Sequence, residues 1–163
     1  MKFKKYTALF TVFISAGIAI TIISPKALAQ QTLSCPEQQK LLTQAVEGLQ
    51  YQSESDYPLS YFRFANVLKL PLPQTFANLT RQFNQPVTQI TFDEFFQKVT
   101  RIYPGMSQSQ FLTARRFKVL ESTLRGNYQQ LTVYRVGTVE VYIYIAGVNS
   151  CGLTGLQTVG IET

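Results

Sequence analysis

The sequence predicts one α+β domain, with a mostly antiparallel central sheet, a C-terminal three-strand meander and helices packed on the sheet's faces. The meander is the clearest feature, because three β-rich runs (residues 130–137, 139–147 and 153–163) are separated by short turns. Short links of this kind join antiparallel neighbours. The middle run is apolar or aromatic at nearly every position, which is typical of a strand covered on both faces. Helices on both sides of the sheet would supply that cover.

Residues 1–29 have the pattern of a cleaved export signal. A basic start is followed by a long uncharged apolar run, and small residues at Ala27 and Ala29 precede Gln30. This three-part pattern predicts cleavage after Ala29. A retained membrane anchor is the alternative, because the apolar run is nearly long enough to span a bilayer. The signal predicts a periplasmic or secreted domain, residues 30–163, that is free of the membrane once the signal is removed.

The first half of the domain is predicted to contain one helix and one strand. Pro36 suits a first helical turn, and apolar residues then recur on one helical face, which predicts a helix over 36–50. The turn-forming segment 51–60 follows, and residues 61–70 are rich in aromatic and branched side chains typical of a strand. The mixed polarity and three prolines of residues 71–86 favour an irregular connection.

The second half is predicted to continue with a short strand and two helices before the meander. The strand covers residues 87–91. Thr91, with Glu94 three positions later, forms a capping-box pattern at the start of a helix over 92–102. A loop that begins at residue 103 leads to a longer helix over 109–127, where Gly126 and Asn127 stop it.

The two cysteines, Cys35 and Cys151, favour a single disulfide, because an exported chain meets an oxidising compartment. The bridge would close a loop of about 115 residues, and the chain-entropy account assigns such a closure about 4–5 kcal/mol. Two free thiols that lie too far apart to bond are the alternative.

Composition argues against several classes of function. Removing the signal leaves eleven basic and nine acidic residues, a net charge of +2 with no dense basic stripe, so direct nucleic-acid binding is not expected. Without histidine and with two cysteines, neither a zinc site nor a His-assisted nucleophile is expected. An enzyme would need a carboxylate pair such as Glu54 with Asp56 or Asp93 with Glu94, and such close neighbours rarely face each other across a substrate. We therefore expect no enzyme activity and no cofactor.

Three segments carry a resemblance to a known family. They are GLQYQSESDYP at 48–58, VYRVGTVEVYIYIAG at 133–147, and the final residues GIET. Together, and in this order, they resemble the nuclease A inhibitor family, whose members are small proteins that block magnesium-dependent, sugar-non-specific nucleases. The resemblance covers most of residues 30–163. It implies a protein partner, a secreted or periplasmic nuclease of that class, and a monomer when the inhibitor is free.

The resemblance also implies which residues contact the partner. Glu54 would take the place of a substrate phosphate against a nuclease arginine, since arginine binds both groups through charge-assisted hydrogen bonds. Thr163 would replace a water on the nuclease's magnesium, which accepts hard oxygen ligands, so the inhibitor needs no metal of its own. Glu162 would contact the partner or remain solvated, and Tyr103 is a candidate interface anchor. Glu54 and Thr163 can act together only if both emerge at the same edge of the fold.

The loop that carries Glu54 is expected to be shaped by its neighbours. Asp56 is followed by Tyr57 and Pro58, which fits a side chain that accepts hydrogen bonds from nearby backbone N–H groups. Asp56 and Pro58 are therefore predicted to hold the loop while Glu54 projects.

Some features favour a second function, an envelope binding or structural protein that reuses the inhibitor scaffold for another partner. An inhibitor of a phosphate-binding site is expected to be acidic, whereas this domain carries a net charge of +2. The loop at 103–110 lacks the acidic residues of the family pattern. The export signal also differs from the cytoplasmic location that the resemblance implies.

Overall fold

The computed structural model describes residues 33–163, and the predicted export signal lies outside the described residues. The described chain forms four α-helices and seven β-strands. In chain order they are α1 (Cys35–Ala45), β1 (Gln50–Tyr51), β2 (Tyr57–Pro58), β3 (Ser60–Phe64), α2 (Pro73–Leu79), β4 (Val87–Thr91), α3 (Phe92–Val99), α4 (Gln108–Asn127), β5 (Leu131–Val136), β6 (Glu140–Asn149) and β7 (Gly152–Ile161).

Five of the strands form one antiparallel sheet in the order β3-β7-β6-β5-β4. Strands β5, β6 and β7 are sequence neighbours joined by short turns, so the predicted C-terminal meander is confirmed. Strands β6 and β7 have ten residues each and form the middle of the sheet. The remaining strands, β1 and β2, form a separate two-stranded ribbon.

The first face of the sheet is covered by three helices. Its buried side chains alternate along the strands, as the two-residue period of a strand requires, and include Val133, Ile143, Ile145 and Leu156. They pack against α1, α3 and α4 through a group of buried apolar residues: Leu42, Val46, Phe92, Phe95, Phe96, Phe117, Leu120 and Leu124. This face holds the larger hydrophobic core, which fixes the helices relative to the meander.

The second face is covered by the short helix α2. Tyr134 and Tyr144, which pair across β5 and β6, point to this side. Phe76 of α2 stacks on the Tyr134 ring with a centroid distance of 4.0 Å and meets the Tyr144 ring edge-on. Both faces of the middle strands are therefore buried, as the sequence predicts.

The helix and strand bounds correct several sequence predictions. Helix α1 ends at Ala45 rather than residue 50. It cannot continue through Gly48, because the φ of +63° at this residue is incompatible with a right-handed helix. Residues 50–51 instead form strand β1. Strand β3 covers residues 60–64, not 61–70. Helix α3 ends at Val99, before residue 102. Residues 73–79, predicted to be irregular, form helix α2 with Pro73 in its first turn.

A disulfide joins Cys35 to Cys151, as predicted. The Cα atoms lie 5.4 Å apart, and the two cysteines are separated by 116 positions in sequence. The bridge attaches the start of α1 to the turn between β6 and β7. That turn lies at the opposite end of β7 from the chain's last residues.

Candidate functional site

The segment around Glu54 is a short ribbon held by one buried aromatic side chain. Strands β1 and β2 pair antiparallel, with Tyr51 opposite Tyr57, and residues 52–56 connect them. Tyr51 is 4% exposed and stacks against Phe95 of α3 with a centroid distance of 6.0 Å. Because Tyr51 packs in the core, the strand that precedes the connecting loop is held in position.

Ser53 attaches this loop to the end of β7. Its hydroxyl accepts a hydrogen bond from the Ile161 N–H at 3.1 Å and donates one to the Ser55 carbonyl at 2.6 Å. The Glu54 N–H also points to the Ile161 carbonyl, at 3.5 Å. These bonds place the Glu54 backbone beside the end of β7.

Glu54 and Thr163 lie in contact. The Thr163 hydroxyl donates a hydrogen bond to the Glu54 carboxylate, although the two residues are 109 positions apart in sequence. Both side chains are exposed. We call this pair the carboxylate edge. It presents a side-chain carboxylate and the final residue of the sequence at one place on the surface.

Glu162 points back toward the sheet. Its carboxylate forms an ion pair with Arg135 of β5, and its backbone N–H donates to the Val139 carbonyl at 2.9 Å. The Glu162 side chain is 33% exposed and that of Arg135 is 27% exposed. The residue before Thr163 is thus tied to β5 and to the turn that follows it.

The hydrogen bonds of the 53–58 loop differ from those expected of Asp56. Ser53 forms the turn bonds, while the Asp56 carboxylate is exposed and accepts no hydrogen bond from any described residue. Pro58 lies in β2, and its carbonyl accepts a bond from the Thr158 hydroxyl at 3.1 Å. The loop is therefore held mainly by hydroxyl groups at its two ends.

Tyr103 lies in the loop between α3 and α4 and is 46% exposed. The loop forms a tight turn, since the Met106 N–H donates to the Tyr103 carbonyl at 3.4 Å and Gly105 has a φ of +87°. Tyr103 and Gln52 line the same cavity of about 180 Å³. The Tyr103 loop therefore neighbours the base of the ribbon that carries Glu54.

Two residues that fix the site were not predicted. Ser53 belongs to the turn-forming segment, but nothing in its spacing marks it as a partner of Ile161. Arg135 gave a signal that could have been used, because it is the one charged residue in the strand LTVYRV. A charge in a largely buried strand needs a partner, and Glu162 is that partner.

Asp93 and Glu94, the second carboxylate pair considered in the sequence, lie at the start of α3. Asp93 forms an ion pair with Arg125, and Glu94 lies in the first turn of α3, where its N–H donates to the Thr91 hydroxyl at 3.0 Å. Within residues 33–163 there is no group of three His, Cys, Asp or Glu residues that could hold a metal ion. In the same range no helix is long and apolar enough to cross a bilayer.

The fold and the carboxylate edge define a class: a small disulfide-bonded α+β domain that brings Glu54 and Thr163 together at one exposed point. The NuiA family, described as nuclease A inhibitor-like protein, matches residues 36–163. Since the match covers most of the chain, the protein belongs to this nuclease A inhibitor-like family. No curated protein matches the chain. The family indicates an inhibitor scaffold with a protein partner and a non-enzymatic role.

Proposed function

We propose that the protein is an exported inhibitor of a magnesium-dependent, sugar-non-specific nuclease, and that it inserts the carboxylate edge into the nuclease active site. The observation that carries the proposal is the contact between Glu54 and Thr163. Residues so distant in sequence meet at an exposed point only if the fold brings them there. The disulfide supports an extracellular or periplasmic location, where such bonds persist.

In this proposal Glu54 acts as a substitute for a substrate phosphate. An ionised carboxylate has about four lone-pair positions, so the hydrogen bond from Thr163 leaves acceptor capacity for an arginine of the nuclease. Arginine binds a carboxylate in the same fork geometry that it uses for phosphate. The Ser53 and Tyr51 anchors reduce the entropy that the loop would lose on binding, which favours affinity.

Thr163 would contribute oxygen ligands to the magnesium ion of the partner. Its carboxylate and its hydroxyl are hard oxygen donors of the kind that magnesium accepts in place of a water. The Arg135–Glu162 ion pair holds the preceding residue, so Thr163 starts from a fixed position. Glu162 then positions Thr163, in addition to any direct contact with the nuclease.

Titration of residues 30–163 into a DNA-degradation assay with a magnesium-dependent non-specific nuclease from the same organism tests the proposal. The domain is expected to inhibit at a fixed stoichiometry. A variant with a short Gly-Ser extension after Thr163 is expected to lose inhibition, because the extension converts the Thr163 carboxylate into a peptide carbonyl and adds residues that obstruct its approach to the metal.

The matched control carries the same extension before Gln30. Cys35, at the start of α1, is bonded to Cys151 at the far end of β7, whose ten residues span about 33 Å, so the first described helix begins at the opposite end of β7 from the carboxylate edge. This extension should leave inhibition intact. If the protein extended after Thr163 inhibits as well as the control, metal ligation by Thr163 is wrong. If the unmodified domain does not inhibit, the nuclease partner is wrong, and a pull-down from periplasmic extract would then test the envelope-protein alternative.

A further inference from the structure

A cavity of about 180 Å³ lies between the ribbon, the end of α3 and the start of α4. Its apolar wall includes Tyr51 and Phe117, which are 4% and 2% exposed. Polar side chains with hydrogen-bonding capacity, Gln52, Gln110 and Thr113, complete the wall. The cavity therefore combines a rigid apolar wall with several hydrogen-bonding groups.

Two cations also line this cavity. Lys98 and Arg101 contribute to its wall, and neither forms an ion pair or a side-chain hydrogen bond with any residue of 33–163. By contrast, Arg116 and Arg125 of the neighbouring helix α4 both bond oxygen atoms of the protein. Among the described residues, no carboxylate lines the cavity. Lys98 and Arg101 thus border the recess as two exposed cations, without a counter-charge among the described residues.

We propose that this cavity is a binding site for a small organic oxyanion, a carboxylate or a phosphate monoester on a compact apolar body. Lys98 and Arg101 would bind the anionic group through charge-assisted hydrogen bonds, while the aromatic wall contacts the apolar part. The cations on which the proposal rests, Lys98 and Arg101, are not part of the carboxylate edge, so anion binding can be tested without the nuclease.

The size of the cavity limits the ligand. Its volume is well above the roughly 30 Å³ that one water occupies in the liquid. It is below the roughly 300 Å³ at which pockets for drug-sized ligands begin. A single substituted ring fits this range, whereas a nucleotide would extend beyond the cavity. Tyr103 and Met106 both line the cavity, and the hydrogen bond from the Met106 N–H to the Tyr103 carbonyl fixes the turn that carries them.

Nuclear magnetic resonance titration of residues 30–163 with benzoate, phenyl phosphate and neutral benzamide tests the site. The side-chain amide signals of Gln52 and Gln110 report directly on the cavity wall. Benzoate, phenyl phosphate or both should produce saturable shifts at these signals, and benzamide should bind more weakly. The double variant Lys98→Gln/Arg101→Gln should bind the anion at least about 10-fold more weakly, because it loses the charge-assisted hydrogen bonds to the anionic group.

Lys69→Gln is the matched control. Lys69 is exposed and lies between Val67 and Leu70, which pack on the second face, across the sheet from the cavity. This variant should bind the anion as the unmodified protein does. Saturable binding of benzoate alone or of phenyl phosphate alone would support the site and identify the preferred anionic group. The proposal is overturned if neither anion gives a saturable shift, if benzamide binds equally well, or if the double variant and the control bind alike.

Discussion

At Glu54, a substitution can remove the negative charge while keeping the hydrogen bond to Thr163. One carboxylate oxygen accepts the Thr163 hydroxyl, and the other has no partner within residues 33–163. Glu54→Gln keeps the size and an oxygen acceptor for Thr163 but removes the charge. Inhibition should weaken by about 10- to 150-fold in Kd, because a hydrogen bond to a charged group contributes about 1.5–3 kcal/mol. A titration of nuclease activity measures the change.

Asp56→Asn is the matched control for Glu54→Gln. Asp56 is in the same loop, is exposed, and loses the same charge on substitution. Its effect should be several-fold smaller than that of Glu54→Gln. Equal effects of the two substitutions would mean that the net negative charge of the loop, rather than a specific contact of Glu54, determines binding.

Glu121 makes stability depend on pH. Its side chain is 10% exposed within α4. Burial alone would raise the pKa of Glu121, but hydrogen bonds from Lys118 and Arg125 outweigh it and hold that pKa below its usual value. A lowered pKa means that the unfolded state binds the proton more readily. Ionised Glu121 therefore adds its full contribution to the free energy of unfolding above its unfolded-state pKa of about 4.3. This contribution is lost as the pH falls through the folded-state pKa.

Urea unfolding at pH 7 and pH 3 tests this dependence. Between pH 7 and pH 3 the free energy of unfolding should fall less in Glu121→Gln than in the unmodified protein, because glutamine has no carboxylate to protonate at that site. Glu47→Gln, at an exposed position just after α1, should keep the pH dependence of the unmodified protein. If the two variants respond to acid in the same way, Glu121 is not a source of the effect.

Helix α2 is an element that depends on tertiary packing. It has seven residues, and no side chain caps its N-terminus, so it is too short to be stable alone. Phe76 is 0% exposed and lies on Tyr134, whose pKa burial raises to about 12. Phe76→Ala should lower the free energy of unfolding by about 3–5 kcal/mol, measured by urea denaturation.

Leu72→Ala is the control for α2. Leu72 precedes the helix and is 76% exposed, so its truncation should change stability by less than about 0.5 kcal/mol. A small effect of Phe76→Ala, similar to that of Leu72→Ala, would show that α2 does not contribute to the core on the second face.

The elements that could be predicted from the sequence are those whose signal is local. The meander follows from three β-rich runs with short turns, and α3 follows from the Thr91 cap, whose hydroxyl accepts the Glu94 N–H. Helix α2 has no such signal, because seven residues give too few turns for a helical period to emerge. The sequence predicts too late an end for α1, because apolar spacing continues past Gly48, whose backbone conformation is incompatible with a helix.

At the scale of the whole molecule, the candidate site could be predicted only through the family resemblance. Local patterns do not show that residues 54 and 163 meet, since their contact depends on the register of β7 and on the ribbon. The bonds that hold them are also non-local. Ser53 reaches Ile161 and Arg135 reaches Glu162, and neither pairing leaves a periodic pattern in the sequence.

The disulfide should contribute to the stability of the whole domain without contributing to the carboxylate edge. Because 116 positions separate the two cysteines, the bridge strongly reduces the conformational entropy of the unfolded chain. Its loss should therefore lower the free energy of unfolding by about 4–5 kcal/mol. Urea unfolding with and without a reductant measures this decrease in stability. The double variant Cys35→Ala/Cys151→Ala should be as unstable as the reduced protein and insensitive to the reductant.

Below the unfolding transition, the reduced protein should still inhibit the nuclease, since the bridge and the carboxylate edge lie at opposite ends of β7. A loss of inhibition by a protein that remains folded would instead mean that α1 transmits the state of the disulfide to the ribbon that carries Glu54.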